Sequence, residues 1–324
     1  MKYQIINTKT KARFKDAFYY LGYYPQCDFM QHVVYDNDWS SIPDMDLPLL
    51  LWHAGEFQRE DTSLLNRDYI YVTGNNSNLQ DKYFNIHDIA ASKIWPNKLS
   101  LDHTKKKKKF LFLNAKDVGH RRYVYTHLYL KKILQDCIYS YRQVEDMDWW
   151  FDFRLEFNEQ DIEYSKLAIH TLPYKPFKDT NTIRDLPQKI YNDTYCSIVG
   201  ETCFQHYPGQ QVPLMLTEKT YSACANLHMF VVVGPYGSLK LLQKQGFETF
   251  SDIWDETYDT EDSPKRRLMA ICDTIDYINK QDMHKLYKHC KERLLHNQNL
   301  IYSIDVKNRV DKVTTWLLES KNEI

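Results

Sequence analysis

Ser197 to Phe250 reads SIVGETCFQHYPGQQVPLMLTEKTYSACANLHMFVVVGPYGSLKLLQKQGFETF, and the fold of the chain turns on this stretch. SIVG is a short apolar run closed by Gly200. MFVVVG, from Met229 to Gly234, is a second run, richer in β-branched residues. Short apolar runs without polar alternation predict parallel strands buried on both faces. Between them, TEKTYSACANL (Thr217 to Leu227) predicts a helix. Thr217 is placed as its N-cap, where a hydroxyl oxygen can satisfy a first-turn amide. Three residues on stands Thr220 rather than Glu, so a full capping box is not expected. After the second strand, PYGS turns, and LKLLQKQGF predicts a short helix stopped by Gly246. Strand and helix alternate, which predicts an α/β unit with a parallel sheet.

Working outward, KIYNDTYCSIVGET (Lys189 to Thr202) reads as a short helix running into the first of these strands. Upstream, FLFLN (Phe110 to Asn114) and IYSYR (Ile138 to Arg142) predict two more strands, with AKDVGHRRYVYTHLYLKKIL between them as a loop feeding a helix. Downstream, SPKRRLMAICDTIDYIN sets Leu268, Ile271, Cys272, Ile275 and Ile278 on one helical face. The remainder to Ile324 reads mainly helical.

The N-terminal third repeats the pattern. MKYQII, HVVYD (His32 to Asp36), LPLLLWH (Leu47 to His53) and DYIYVTG (Asp68 to Gly74) predict strands. SNLQDKYFNIHDIAASKIW predicts a helix before Pro96. A run of five lysines follows, Lys105, Lys106, Lys107, Lys108 and Lys109. Like charges repel and favour extension, so the run predicts a solvated linker. Its second reading is a strip that contacts nucleic-acid phosphates. Residues 143–180 show no order that the pattern can fix.

The organisation expected is therefore residues 1–104 as a first α/β domain, 105–290 as a second, and 291–324 as a helical segment packing back on the first. Two such domains would face one another across a cleft at the carboxyl ends of their strands, where ligands bind.

Composition narrows the partners. Lys plus Arg number 42 against 43 Asp plus Glu, so the formal net charge of -1 gives no global pull toward nucleic acid or membrane. An anionic partner must then meet a local basic patch. The seven cysteines, at 27, 137, 196, 203, 224, 272 and 290, contain no CxxC pair and are odd in number. This argues for reduced thiols rather than a disulfide framework or a zinc site. The first residues lack a signal-peptide core, and no run of about 18 apolar residues occurs. A cytoplasmic location is expected, with no membrane contact.

The candidate chemistry begins at Glu218 and Lys219. A helix start offers free N–H groups and partial positive charge, a ready place for phosphate. Lys219 adds a full charge, and Glu218 can accept from ribose or sugar hydroxyls. Glu201 and Thr202 follow the strand SIVG and would reach the same place. Glu201 can equally be a helix-capping or ion-pair carboxylate. Ser238 and its turn could line a nucleotide, though a plain tight turn explains Gly237 as well.

The second constellation is His120-Arg121-Arg122 after FLFLN. An arginine there can clamp a diphosphate bidentately. The spacing does not decide between Arg121 and Arg122, and an exposed basic helix face remains open. For a general base, Glu56 after LPLLLWH is the first candidate, with Asp36 and Asp38 as competitors. Asp36-Asn37-Asp38 has the DxD form of a metal-holding pair, but such triplets recur at Asp44 to Asp46 and Asp146 to Asp148. No catalytic metal is expected.

The segment resembles the donor-binding domain of GT-B glycosyltransferases, particularly fucosyltransferase-like enzymes. Those carry a Glu-Lys pair opening a small-residue helix, then a strand of the form PFVIVG. Here TEKTYSACANLHMFVVVGP takes that place, with Met229 where the family often has proline. The sequence also resembles a phage-encoded glycosyltransferase-like group through ETCFQ, LTEKT, GSLKLLQKQGFETF and WDETYD, in that order. The likeness covers roughly residues 110–280.

It implies a GT-B arrangement of two Rossmann-like domains and transfer of a sugar from a nucleotide-sugar co-substrate, with no further cofactor. It also implies Glu218 on ribose or sugar hydroxyls, Lys219 on the diphosphate, and an arginine from the His120 segment on the donor phosphate. The phage-like set suggests a hydroxymethylated pyrimidine in double-stranded DNA as acceptor, in host cytoplasm. A surface or lipid-linked glycan competes. A third expectation is a non-catalytic nucleotide- or DNA-binding protein of the same fold.

Overall fold

A computed structural model describes residues 87–142, 157–177, 186–204, 214, 216–309, 311, 312, 314 and 315, and before them the backbone of five strands. These strands are β1 (Tyr3–Asn7), β2 (Phe29–Val34), β3 (Leu49–His53), β4 (Tyr69–Thr73) and β5 (Tyr83–Phe84). They pair in parallel in sequential order, β1-β2-β3-β4-β5. The four strands read from sequence in this third are present. The helix expected across Ser77 to Trp95 is shorter: Tyr83 and Phe84 pair with Tyr71 and Val72, so helix α1 starts at His87 and runs to Ile94.

The second sheet contains β6 (Lys108–Asn114), β7 (Cys137–Tyr141), β8 (Thr194–Gly200) and β9 (Met229–Val233), all parallel, in the order β7-β6-β8-β9. Every residue of β8 and β9 is buried, so both faces are covered, as their unbroken apolar runs require. Helix α2 (Gly119–Leu130) follows β6, α3 (Glu159–Lys166) follows β7, and the short α4 (Lys189–Asn192) leads into β8. After β8 come α5 (Glu218–Ala225), then, past β9, α6 (Ser238–Lys244), α7 (Pro264–Asn279), α8 (Met283–His289) and α9 (Lys291–Tyr302).

The chain is thus α/β with parallel sheets. The sheets differ in one respect that matters for ligands. The described strands of the first step one way, β1 to β5 in order. The second reverses: from β6 the chain moves out to β7, then crosses back to β8 and on to β9. The reversal lies between β6 and β8, the kind of switch point where the crevice beyond the strand ends binds ligands.

The local signals in the second unit act as read. Thr217 caps α5, Gly246 takes a φ of 90° just past α6, and the apolar face of α7 is buried at all five expected positions. Gly237 sits at φ 78°, a left-handed conformation that the turn before α6 demands. Helix α3 lies inside the stretch that showed no order. Asn158 and Asp161 close a reciprocal capping box there, with Asp161 doing what Glu or Gln does in the usual form.

Residues 91–99 are held by the second unit. Trp95 Nε1 donates to Ser222 Oγ at 2.8 Å. From α9, Tyr302 donates to the Trp95 carbonyl at 2.6 Å, and Gln298 Nε2 to the carbonyls of Leu99 at 3.0 Å and Ala225 at 3.1 Å.

Only part of the lysine run is a solvated linker, which corrects the sequence reading: Lys105 and Lys107 are exposed, and the rest is not. Strand β6 begins at Lys108. Lys106 is only 8% exposed. Its ammonium donates to the Tyr191 carbonyl at 2.8 Å and lies 4.6 Å from the Tyr287 ring centre. Lys108 and Lys109 donate to the carbonyls of Gln135 and Asn279. Long aliphatic stems and aromatic partners pull these side chains down despite like-charge repulsion.

Burial pushes the Lys106 amine down to about 8, against small opposing pulls from Asp102 and Asp193. The folded value lies below the unfolded one, so between the two the unfolded chain binds the extra proton. Stability from this group therefore rises with pH across that window. Lys106→Met removes the titration. The wild-type unfolding free energy minus that of the variant should grow by about 2 kcal/mol from pH 7.5 to 9.5. Urea unfolding of both proteins checks this, and a constant difference would contradict the burial argument.

Candidate functional site

The carboxyl ends of β6 and β8 gather Arg121, Glu201, Thr202, Thr217, Glu218 and Lys219. Helix α5 starts beside them. Glu201, the first residue after β8, is 0% exposed. Its Oε1 accepts from the Thr217 amide at 3.1 Å and the Thr220 hydroxyl at 2.5 Å. Its Oε2 accepts from the Thr217 hydroxyl at 2.6 Å. Of the two roles open for Glu201, the geometry is that of a cap: the carboxylate itself is the anion at the positive end of α5. It ties β8 to α5 and presents no surface to a ligand.

Lys219 and Glu218 open α5, with side chains 28% and 26% exposed. The Lys219 ammonium donates to Thr217 Oγ1 at 3.0 Å, Thr202 Oγ1 at 3.3 Å and Glu218 Oε1 at 3.4 Å. Two of these partners are neutral hydroxyls and the carboxylate contact is long. An incoming anion can exchange for the hydroxyls without breaking a tight ion pair.

The two arginines separate cleanly. Arg122 is buried against Asp117, with Nε to Oδ1 at 3.0 Å and Nη2 on Oδ2, and Tyr141 also donates to Oδ1 at 2.5 Å. That arginine is part of the framework. Arg121 turns to the sheet edge. Its Nη2 donates to the Glu201 carbonyl at 2.8 Å and Nη1 to that of Lys116 at 3.3 Å. Its side chain crosses Gly200 so closely that a Cβ there would lie 3.1 Å from Arg121 Cγ. Arg121 is therefore the arginine at the switch point.

His120 is buried and stacks on Phe204 at 5.1 Å, donating from Nε2 to the Glu201 carbonyl at 2.9 Å. Burial first, and then the Arg121 charge, push its pKa down to about 3, with Arg267 and Lys219 adding to the effect. The imidazole is neutral at pH 7. Arg267 of α7 lies over the other ring partner, with Cζ 4.6 Å from the Phe204 centre and Nη2 donating to the Phe204 carbonyl at 2.6 Å. Sequence reading missed Arg267, because it sits in an ordinary amphipathic helix.

Asn114 was also missed. It closes β6, is 2% exposed, and neither its Oδ1 nor its Nδ2 has a hydrogen-bond partner. The available signal was a single polar residue ending the apolar strand FLFLN.

Ser238 faces inward. Its hydroxyl donates to the Pro235 carbonyl at 2.6 Å, and a Cβ on Gly234 would lie 3.0 Å from it and 3.5 Å from Glu201 Cγ. The start of α6 is already closed by Asp259, whose carboxylate accepts from the amides of Leu239 at 2.8 Å and Lys240 at 3.0 Å. Glu56, Asp36 and Asp38 lie outside the described residues. Among the described residues no group of three or more His, Cys, Asp or Glu is placed to hold a metal ion, and no helix is long and apolar enough to cross a membrane.

The chemistry available is anion binding. Arg121 and Lys219 bring two positive charges to the ends of adjacent parallel strands, with Arg267 behind them. Thr202 and Glu218 add hydroxyl and carboxylate groups that can meet a polyol. Compared with protein-family models and with curated proteins, the chain matches none.

Proposed function

We propose that this chain is a glycosyltransferase of the GT-B type that takes a nucleotide-sugar and transfers its sugar to an acceptor hydroxyl with inversion. The observation that carries the reading is the position of Lys219 and Arg121 at the carboxyl ends of β8 and β6, where the second sheet reverses. A nucleotide-sugar has a diphosphate next to a ribose and a hexose. Lys219 and Glu218 in the first turn of α5 and Arg121 in the first turn of α2 supply cations for the one and an acceptor for the other.

In this reading Lys219 and Arg121 bind the diphosphate. As the anomeric bond breaks, negative charge builds on the leaving oxygen. Lys219 meets it by exchanging its hydroxyl partners, and Arg121 by turning from the Glu201 carbonyl. Glu218 accepts from ribose or sugar hydroxyls. Glu201 and Thr217 hold the start of α5 rigid, so Lys219 keeps its aim. The acceptor proton passes to a carboxylate of the N-terminal third, with Glu56, Asp36 and Asp38 as candidates.

Of the acceptor classes, hydroxymethylated DNA drew on the lysine run. Lys106, Lys108 and Lys109 are spent on carbonyls and rings, and Lys107 pairs with Asp193 at 2.9 Å. Lys105 and Lys107 remain exposed, and the reading rests on the donor side.

The test is nucleotide release from a panel of nucleotide-sugars, with and without hydroxymethylated DNA or a glycan acceptor. At least one donor should turn over. Lys219→Ala should then lower turnover by about 10²–10³-fold while leaving the melting temperature near that of wild type. Turnover by Lys219→Ala at the wild-type rate, or silence with every donor and acceptor, would refute the reading.

A further inference from the structure

A buried carboxamide with nothing to bond is a cost, because both ends have lost water and gained no partner. Asn114 carries that cost at a specific place. The register of β6 on β8, with Lys108 opposite Thr194 and Leu111 opposite Ser197, brings Asn114 level with Gly200 at the ends of the two strands. A Cβ on Gly200 would lie 2.8 Å from Asn114 Oδ1 and 3.3 Å from Arg121 Nε. The glycine thus leaves room for both the carboxamide and the Arg121 side chain. The position is the switch point itself, between the two strands from which the chain departs in opposite directions.

We infer that Asn114 is a ligand-binding residue that recognises a ribose hydroxyl of a nucleoside diphosphate, beside the phosphate held by Arg121 and Lys219. The inference rests on the donor reading above and adds the group that distinguishes a nucleotide from a bare diphosphate. The carboxamide chemistry selects this class. A phosphate only accepts hydrogen bonds and would leave Oδ1 idle. A hydroxyl both donates and accepts, so it can satisfy either end of the amide. The adjacent guanidinium requires that the same ligand be anionic nearby. A 5′-diphosphate on a ribose meets both demands within one molecule. Arg121 and the carboxamide share the space over Gly200, and binding would turn the guanidinium from the Glu201 carbonyl toward the phosphate.

Replacing Asn114 separates structure from recognition. If the residue were kept for folding, Asn114→Leu would destabilise the chain. On this account it removes an unsatisfied polar group of similar size, so the melting temperature should hold or rise by about 2–4 °C. The same variant should weaken uridine or guanosine diphosphate binding by about tenfold and leave inorganic pyrophosphate binding unchanged. Asn114→Asp, closer in shape, should weaken both ligands, since its charge opposes phosphate.

Titration calorimetry and thermal unfolding of the full chain read all of this. Unchanged nucleotide affinity in Asn114→Leu, in a wild type that binds, overturns the inference and leaves the donor reading standing. A fall in melting temperature with equal loss of both ligands makes Asn114 structural and overturns it too. A wild type that binds no nucleoside diphosphate overturns the donor reading and the inference with it.

Discussion

Lowering the pH from 7 to 4.5 should remove about 5 kcal/mol of stability through two histidines alone. His120 and His228 are both buried and both held neutral, with pKa values pushed down to about 3 by burial. For His120 the Arg121 charge adds to this, and for His228 the Lys106 charge. The unfolded chain protonates its histidines near pH 6.5, while the folded chain does not until about 3. Above the unfolded value the stability is whole. As the pH falls below it, the unfolded state binds two protons that the folded state refuses, and stability drops steadily.

The hydrogen bonds show why the folded state refuses. His228 Nε2 donates to the Tyr191 carbonyl at 2.8 Å, and Nδ1 accepts from the Ser197 hydroxyl at 2.8 Å. The neutral ring is satisfied at both ends, and a proton on Nδ1 would break the second bond. Each ring contributes about half of the expected loss. A domain of this size has roughly 5–15 kcal/mol in total, so the loss is at least about a third of it. Urea unfolding at several pH values measures the slope. His120→Gln with His228→Gln should flatten it, and a wild-type loss below about 1 kcal/mol would contradict the account.

Asp117→Ala should cost about 3–5 kcal/mol. The partner, Arg122, is 2% exposed, and the substitution would strand its guanidinium charge away from water. Tyr141 would lose its acceptor as well. The effect reaches the site because Asp117 stands in the loop between β6 and α2, two residues before the helix that carries His120 and Arg121. Loosening that loop should also weaken anion binding. The double change Asp117→Leu with Arg122→Met should recover most of the stability, since it removes both charges together. Denaturant midpoints of the three proteins decide the matter. A single variant within about 1 kcal/mol of wild type would show that the pair is not the anchor described.

The second unit was legible where local chemistry decides. MFVVVG could hardly be anything but a buried strand, Thr217 could cap only the helix that follows it, and Gly246 marks a stop because few residues take its φ. The parallel α/β character followed from alternation alone. What sequence could not show depends on residues far apart in the chain. Lys106 reads as solvated beside four other lysines. It is buried because Tyr191, Tyr195 and Tyr287 come from other elements to cover it.

Strand order was equally hidden. Each strand run looks alike, and nothing local says that the second sheet reverses between β6 and β8 while the first steps one way. The choice between Arg121 and Arg122 needed side-chain directions around Asp117. Glu201 looked like a ligand group because it follows a strand. It is a cap because α5 begins against it, sixteen residues later, at Thr217.

The central claim is that Lys219 and Arg121 form a diphosphate site at the switch point of the second sheet. Calorimetric titration of the wild type and Lys219→Ala with uridine and guanosine diphosphates tests it most directly. The account predicts binding of at least one of them by the wild type and a loss of about tenfold or more in the variant. Equal affinity in the two proteins, or no binding by the wild type, would contradict it.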